Sequence, residues 1–254
     1  MMANMMEKGI TLKSNKTKKT EVSKMKGKVL VLIVAAIALL GAGVALAGIS
    51  VTKHNLSSGG PGTIKASAGQ QNDEICVYCH TPHFANTAGV APLWNKATPS
   101  ATYTMYGTTL AGTAPDAAPN GVTKACLSCH DGVSAINSIV NSAGAGGVVT
   151  GGTNVAFGTT TAGTAKTMPA GATNIGTNLA DDHPVSITYT AGKASLVATT
   201  TALTGWEGAT TVANLLRSSK VECSSCHDPH TSTNGLFLRK ANTGSALCLG
   251  CHGK

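Results

Sequence analysis

The sequence predicts a chain that is mostly coil, with short helices and few strands, folded as a single domain whose interior is not built from aliphatic side chains. Three observations lead there. Aromatic residues make up only 4% of 254 residues, and Gly, Ala and Thr dominate, so large apolar side chains are too few for an ordinary core. All eight cysteines fall in four copies of one pentapeptide, Cys76-Val-Tyr-Cys79-His80, Cys126-Leu-Ser-Cys129-His130, Cys223-Ser-Ser-Cys226-His227 and Cys248-Leu-Gly-Cys251-His252. Four further histidines, His54, His83, His183 and His230, stand outside those pentapeptides.

Cys-x-x-Cys-His is the attachment signature of c-type haem. The two thiols add to the haem vinyl groups, and the histidine gives its imidazole to the iron. One helical turn sets both sulfurs and the imidazole on the same side of the chain, facing a flat ring. Four copies that use every cysteine predict four covalent haems. Four disulfides would leave the trailing histidines unexplained. With His80, His130, His227 and His252 proximal, four irons need four distal ligands, and His54, His83, His183 and His230 are the histidines left. Beyond residue 47 the only methionines are Met105 and Met168. The expectation is bis-histidine iron throughout, in a domain packed around its haems.

Residues 1–28 carry eight lysines against Glu7 and Glu21, followed by the apolar run 29–40 and then Ala45-Leu46-Ala47-Gly48. A basic start, an apolar centre and an Ala-x-Ala site describe a secretory signal peptide over 1–47, cleaved after Ala47. Met25 offers a compact alternative start. A retained anchor over 29–47 is the rival, near the roughly 20 residues needed to span a bilayer. The mature chain, 48–254, holds eleven Lys and Arg against nine Asp and Glu. Two propionates per haem would make the holoprotein mildly acidic, and no basic patch suggests a nucleic-acid partner.

The ligand grammar repeats. His54, CxxCHxPH ending at His83, and CxxCH form one unit over 54–130; His183, CxxCHxPH ending at His230, and CxxCH form a second over 183–252. Residues 131–182 join them. Pro82 and Pro229 bias the preceding Thr81 and Asp228 away from the helical region, so each attachment helix should stop there. His83 and His230 then reach neighbouring haems, expected to be those at Cys126/Cys129 and Cys248/Cys251. Asp181 and Asp182 beside His183 offer a carboxylate for its second ring nitrogen, or simply a solvated turn. Between Val133 and Ala180 Lys166 is the one charged residue, which suits loops or a packing surface equally. Thr211–Ser218 reads as a helix with Val212, Leu215 and Leu216 on one face.

Lys53-His-Asn-Leu-Ser57, Cys76-Val-Tyr-Cys-His-Thr-Pro-His-Phe-Ala-Asn86, Ala91-Pro-Leu-Trp-Asn95, His183-Pro-Val-Ser186 and Cys223-Ser-Ser-Cys-His-Asp-Pro-His230 resemble multihaem c-type cytochromes of metal-reducing bacteria. They are most similar to the outer-surface tetrahaem cytochromes that polymerise into extracellular filaments, the OmcE type. That resemblance implies a haem chain along a homopolymer, a histidine passed between subunits, redox-partner cytochromes, and electrons delivered to external acceptors at the cell surface. The expected function is electron transfer, not catalysis, since the ligand count leaves no open iron position for a substrate. A soluble periplasmic shuttle with the same ligands is the alternative, followed by a membrane-anchored quinol dehydrogenase or a multihaem reductase. His54 is the histidine expected to cross between subunits, on a short terminal tether; the repeat equally allows it to serve the Cys76/Cys79 haem.

Overall fold

Helix-forming stretches are short here because Gly and Pro punctuate the chain around every motif. The computed structural model describes residues 48–67, 73–88, 90–109, 112–141 and 166–253. The expected export segment, 1–47, and the middle of the joining segment, 142–165, lie outside the described residues. What is described is mostly coil with a few short helices and two small two-stranded sheets, the fold class that the composition implies.

Helix α1, Gly121–His130, is the longest element among the described residues. Its interior, Val-Thr-Lys-Ala-Cys-Leu-Ser-Cys, contains no Gly or Pro, and it buries Thr123, Ala125, Leu127 and Ser128. Gly132 ends it with a φ of 73°, a conformation glycine adopts without strain. Beside it, the buried Asp131 carboxylate accepts the Val133 and Ser134 N–H groups at 2.9 and 2.6 Å and the Tyr103 hydroxyl at 2.8 Å. That carboxylate pins the turn out of the helix.

Strand β1, Ile187–Thr188, is followed by the hairpin of β2, Ala202–Trp206, and β3, Ala209–Thr211. Gly208, with φ of 65°, makes the tight connection. Helix α2 follows at once, Val212–Leu215. It is shorter than expected. Its N-cap Thr211 and Asn214 form a reciprocal capping box, but Leu216 is already extended. Ser218 and Ser219, at φ of 50° and 61°, turn the chain into β4, Lys220–Val221, which pairs antiparallel with β1 through Ile187–Val221 and Thr188–Lys220. Val212 and Leu215 are fully buried, as the apolar stripe predicts; Leu216 leaves that face. Helix α3, Cys223–Cys226, comes directly after β4.

The apolar interior is small and gathers around cysteines. Ala66, Tyr78, Ile136 and Ile139 form one cluster, with Cys79, Cys129 and Met168 against it. Val90, Trp94 and Ala125 form another, again touching Cys79. Polar groups fill the rest. Lys96, 2% exposed, donates from Nζ to the carbonyls of Ile136 and Ser138 at 2.6 and 2.8 Å, which offsets part of the cost of burying its charge. Asn95 bonds Val77 O and Asn141 O. Residues 133–141 and 166–180 of the joining segment therefore pack as part of the domain.

Candidate functional site

Each CxxCH pentapeptide forms one turn. The His80, His227 and His252 amides return to Cys76 O, Cys223 O and Cys248 O at 2.8, 3.1 and 3.0 Å. Helical geometry stops before each of these histidines, at Tyr78, Cys226 and Gly250, so the turn alone does not fix the imidazole. A second piece of chain does. His80 forms an antiparallel bridge with Trp94, His227 with Leu238, and His252 with Leu196. Each bridge is flanked by the same two backbone bonds. The residue after the histidine donates to the residue before the bridge partner: Thr81 to Leu93 O, Asp228 to Phe237 O, Gly253 to Ser195 O. The residue after the partner donates to the second cysteine: Asn95 to Cys79 O, Arg239 to Cys226 O, Val197 to Cys251 O. In all three the residue before the partner is a non-glycine with positive φ, Leu93 at 52°, Phe237 at 58° and Ser195 at 63°. These three clasps, around 92–95, 194–197 and 236–239, are the part of the site that motif reading missed.

The clasp also orients the ring. His80 Nδ1 donates to Pro92 O at 2.7 Å, and His227 Nδ1 to Leu236 O at 3.0 Å. In both, the acceptor is the carbonyl two residues before the bridge partner. His130, inside α1, instead donates from Nδ1 to Thr173 O at 2.7 Å. His54 donates to Pro229 O and His183 to Pro184 O, each at 3.1 Å. A carbonyl oxygen only accepts, so Nδ1 carries a proton in these five rings, and in the neutral tautomer this selects, Nε2 holds the lone pair. That is the form in which an imidazole binds iron. His183 uses a carbonyl, so neither neighbouring aspartate serves it as sequence suggested. A carboxylate does serve His230, whose Nδ1 meets Asp228 Oδ1 at 3.2 Å. That contact, with Arg239 beyond it, holds the Asp228 carboxyl down to about 2.

The distal histidines do not fall where their sequence neighbours suggested. The His54 and His130 ring centroids are 6.1 Å apart, and those of His80 and His230 are also 6.1 Å apart. His54 is thus a neighbour of the Cys126/Cys129 site, for which the sequence had suggested His83. His230 lies against His80 of the Cys76/Cys79 site, where the sequence had pointed to the Cys248/Cys251 haem. The cause is long-range: the Pro229 carbonyl receives His54 Nδ1, which draws the 228–230 turn onto the N-terminal segment. Nor is His54 a loose tether. Its ring stacks on Phe237 at 4.1 Å, and burial pushes its pKa down to about 4, keeping it neutral. His83 and His183 are exposed.

The four sites adjoin. Cys79 and Cys129 share one apolar cluster, and the Cys126 and Cys223 thiols touch across α1 and α3. Cys226 has Cys251 and Cys248 close by, and burial pushes its thiol up to about 11. Glu222, buried at the N-cap of α3, accepts from Thr123 of α1 and from Ser186, so the second and third motifs are tied through one carboxyl.

The residues fit a haem at each motif. All eight thiols are free, each pair precedes an imidazole, and large apolar side chains lie exposed beside the motifs: Phe84, Leu93, Leu236 and Leu249. Among the described residues, the buried side-chain polar atoms without a partner are Trp94 Nε1 and Ser224 Oγ, one in the first clasp and one inside the third motif.

The doubled CXXCH motif family matches residues 217–254, which span the third and fourth motifs. No curated protein matches the chain. A doubled CXXCH motif is a feature of multihaem c-type cytochromes, and here it points to haem c binding and electron transfer.

Proposed function

We propose that this chain is an exported tetrahaem cytochrome that carries electrons, and that it does so as the subunit of an extracellular filament. The observation that supports it is the recurrence of one device. Two thiols and an imidazole are presented by a turn at each of four sites, and the sites adjoin without a break. Haem bound there supplies a reversible one-electron couple. The chain's own part is to hold each imidazole. The clasps fix His80 and His227 through Nδ1, Thr173 O fixes His130, and His54, His183 and His230 have their Nδ1 atoms likewise engaged. The buried Trp94 Nε1 is a suitable donor for a haem propionate. Two imidazoles per iron favour low potentials, since methionine ligation raises them, and fill both axial positions, which suits a wire better than an enzyme. With His54 seated within its subunit, a histidine joint between subunits falls to exposed His83 or His183.

Intact-mass measurement should give four haem additions on a chain beginning at Gly48; three, or free thiols, would sink the count. Negative-stain images of sheared cell-surface material should show filaments. Monomers by size exclusion of native material would favour the periplasmic shuttle.

A further inference from the structure

We infer that His54 and His130 are the two axial ligands of one iron, and His80 and His230 those of another, so that the first haem is held within the 54–130 unit and the second across the two halves of the chain. The inference rests on the haem assignment above. Two imidazoles bonded to opposite faces of one iron at about 2 Å each place their centroids roughly 6 Å apart, once a ring radius of about 1 Å is added at each end. Both pairs stand at 6.1 Å. Neither pair bonds directly. His54, His130 and His80 have donated their Nδ1 protons to Pro229 O, Thr173 O and Pro92 O, and the Nδ1 of His230 is engaged by Asp228. In the neutral rings both Nε2 atoms are acceptors, which a shared metal satisfies and a direct contact does not.

The ring planes differ between the pairs. They are 78° apart for His54 and His130, and 18° apart for His80 and His230. Phe237 stacked on His54, and Trp94 set edge-on to His80, hold those orientations. Parallel imidazoles act on the same iron dπ orbital and split the pair; perpendicular ones act on both and leave them nearly equal. The ferric Cys76/Cys79 haem should therefore give a rhombic low-spin spectrum, and the Cys126/Cys129 haem a highly anisotropic one with a single large g value.

The test uses the oxidised holoprotein, with paramagnetic resonance and intact mass recorded together. His54→Ala should remove the large-g signal and add a high-spin one, and His230→Ala should remove a rhombic signal, each with four haems retained. Mild peroxide treatment followed by peptide mapping locates the opened haem, at Cys126/Cys129 in the first variant and Cys76/Cys79 in the second. If either alanine variant fails to accumulate, His54→Met and His230→Met should show a sulfur-to-iron charge-transfer band assigned to the same haems. Opening of the Cys76/Cys79 haem by His54→Ala, or of the Cys248/Cys251 haem by His230→Ala, overturns the pairing while leaving four haems standing. Fewer than four haems in the unaltered protein overturns the haem assignment, and the pairing with it.

Discussion

His130 closes a ten-residue helix, whereas His80, His227 and His252 each follow a single turn and are held by a separate clasp. The difference lies in what comes before the histidine. Residues 121–125 are already helical ahead of the second motif, whereas the other three turns begin at their first cysteine. Pro82 and Pro229 in addition push the preceding residue out of helical geometry, so the first and third turns do not continue past their histidines. The helix is stabilised by bonds between near neighbours, the clasp by bonds to chain that arrives from elsewhere. Three of the four motifs therefore depend on a distant bridge for the backbone of their histidine, whereas the helix sets the backbone of His130 and only its ring is aimed from afar, by Thr173 O.

The comparison makes the clasps the sensitive points. The largest effect is expected at Arg239, nearly buried, which donates to Ser224 O and Glu207 O at 2.8 Å each and reaches Asp228. Arg239→Met strands these acceptors and should cost about 3 kcal/mol in denaturant unfolding of the holoprotein. Val197→Pro removes the bond to Cys251 O in the clasp of the fourth motif and should cost about 2 kcal/mol, with the Cys248/Cys251 haem spectrum altered alone. Lys124→Gly, in the middle of α1, should cost about 1 kcal/mol and leave all spectra unchanged. If it costs more than Val197→Pro, the helix and not the clasps carries the sites. The smallest effect has the opposite sign. Ser195 is an exposed non-glycine at φ of 63°, so Ser195→Gly should stabilise by roughly 0.5 kcal/mol; a lower melting temperature would show that the left-handed turn is not strained.

The coil-rich class was legible because composition decides whether an aliphatic core is affordable, and the attachment residues were legible because Cys-x-x-Cys-His is a local geometry. The clasps were hidden for the converse reason. Leu93, Phe237 and Ser195 carry no turn signal, and their left-handed backbone is imposed by bonds to the motif. The clasp follows the first and third motifs but precedes the fourth, so no spacing rule finds it. The seat of His54 was hidden for a related reason: nearness to the mature terminus said nothing of Phe237 and Pro229, which hold its ring from the far end of the sequence.

The touching thiols of Cys126 and Cys223 belong to different motifs, almost a hundred positions apart. In an oxidising compartment such a pair closes readily into a disulfide, which would consume one vinyl-reactive sulfur from each of two sites. A chain that folded first would thus poison its own maturation. On the proposed function, haem would then have to reach these cysteines while the polypeptide is still open, and the contact between the second and third motifs would set the order of events during biogenesis.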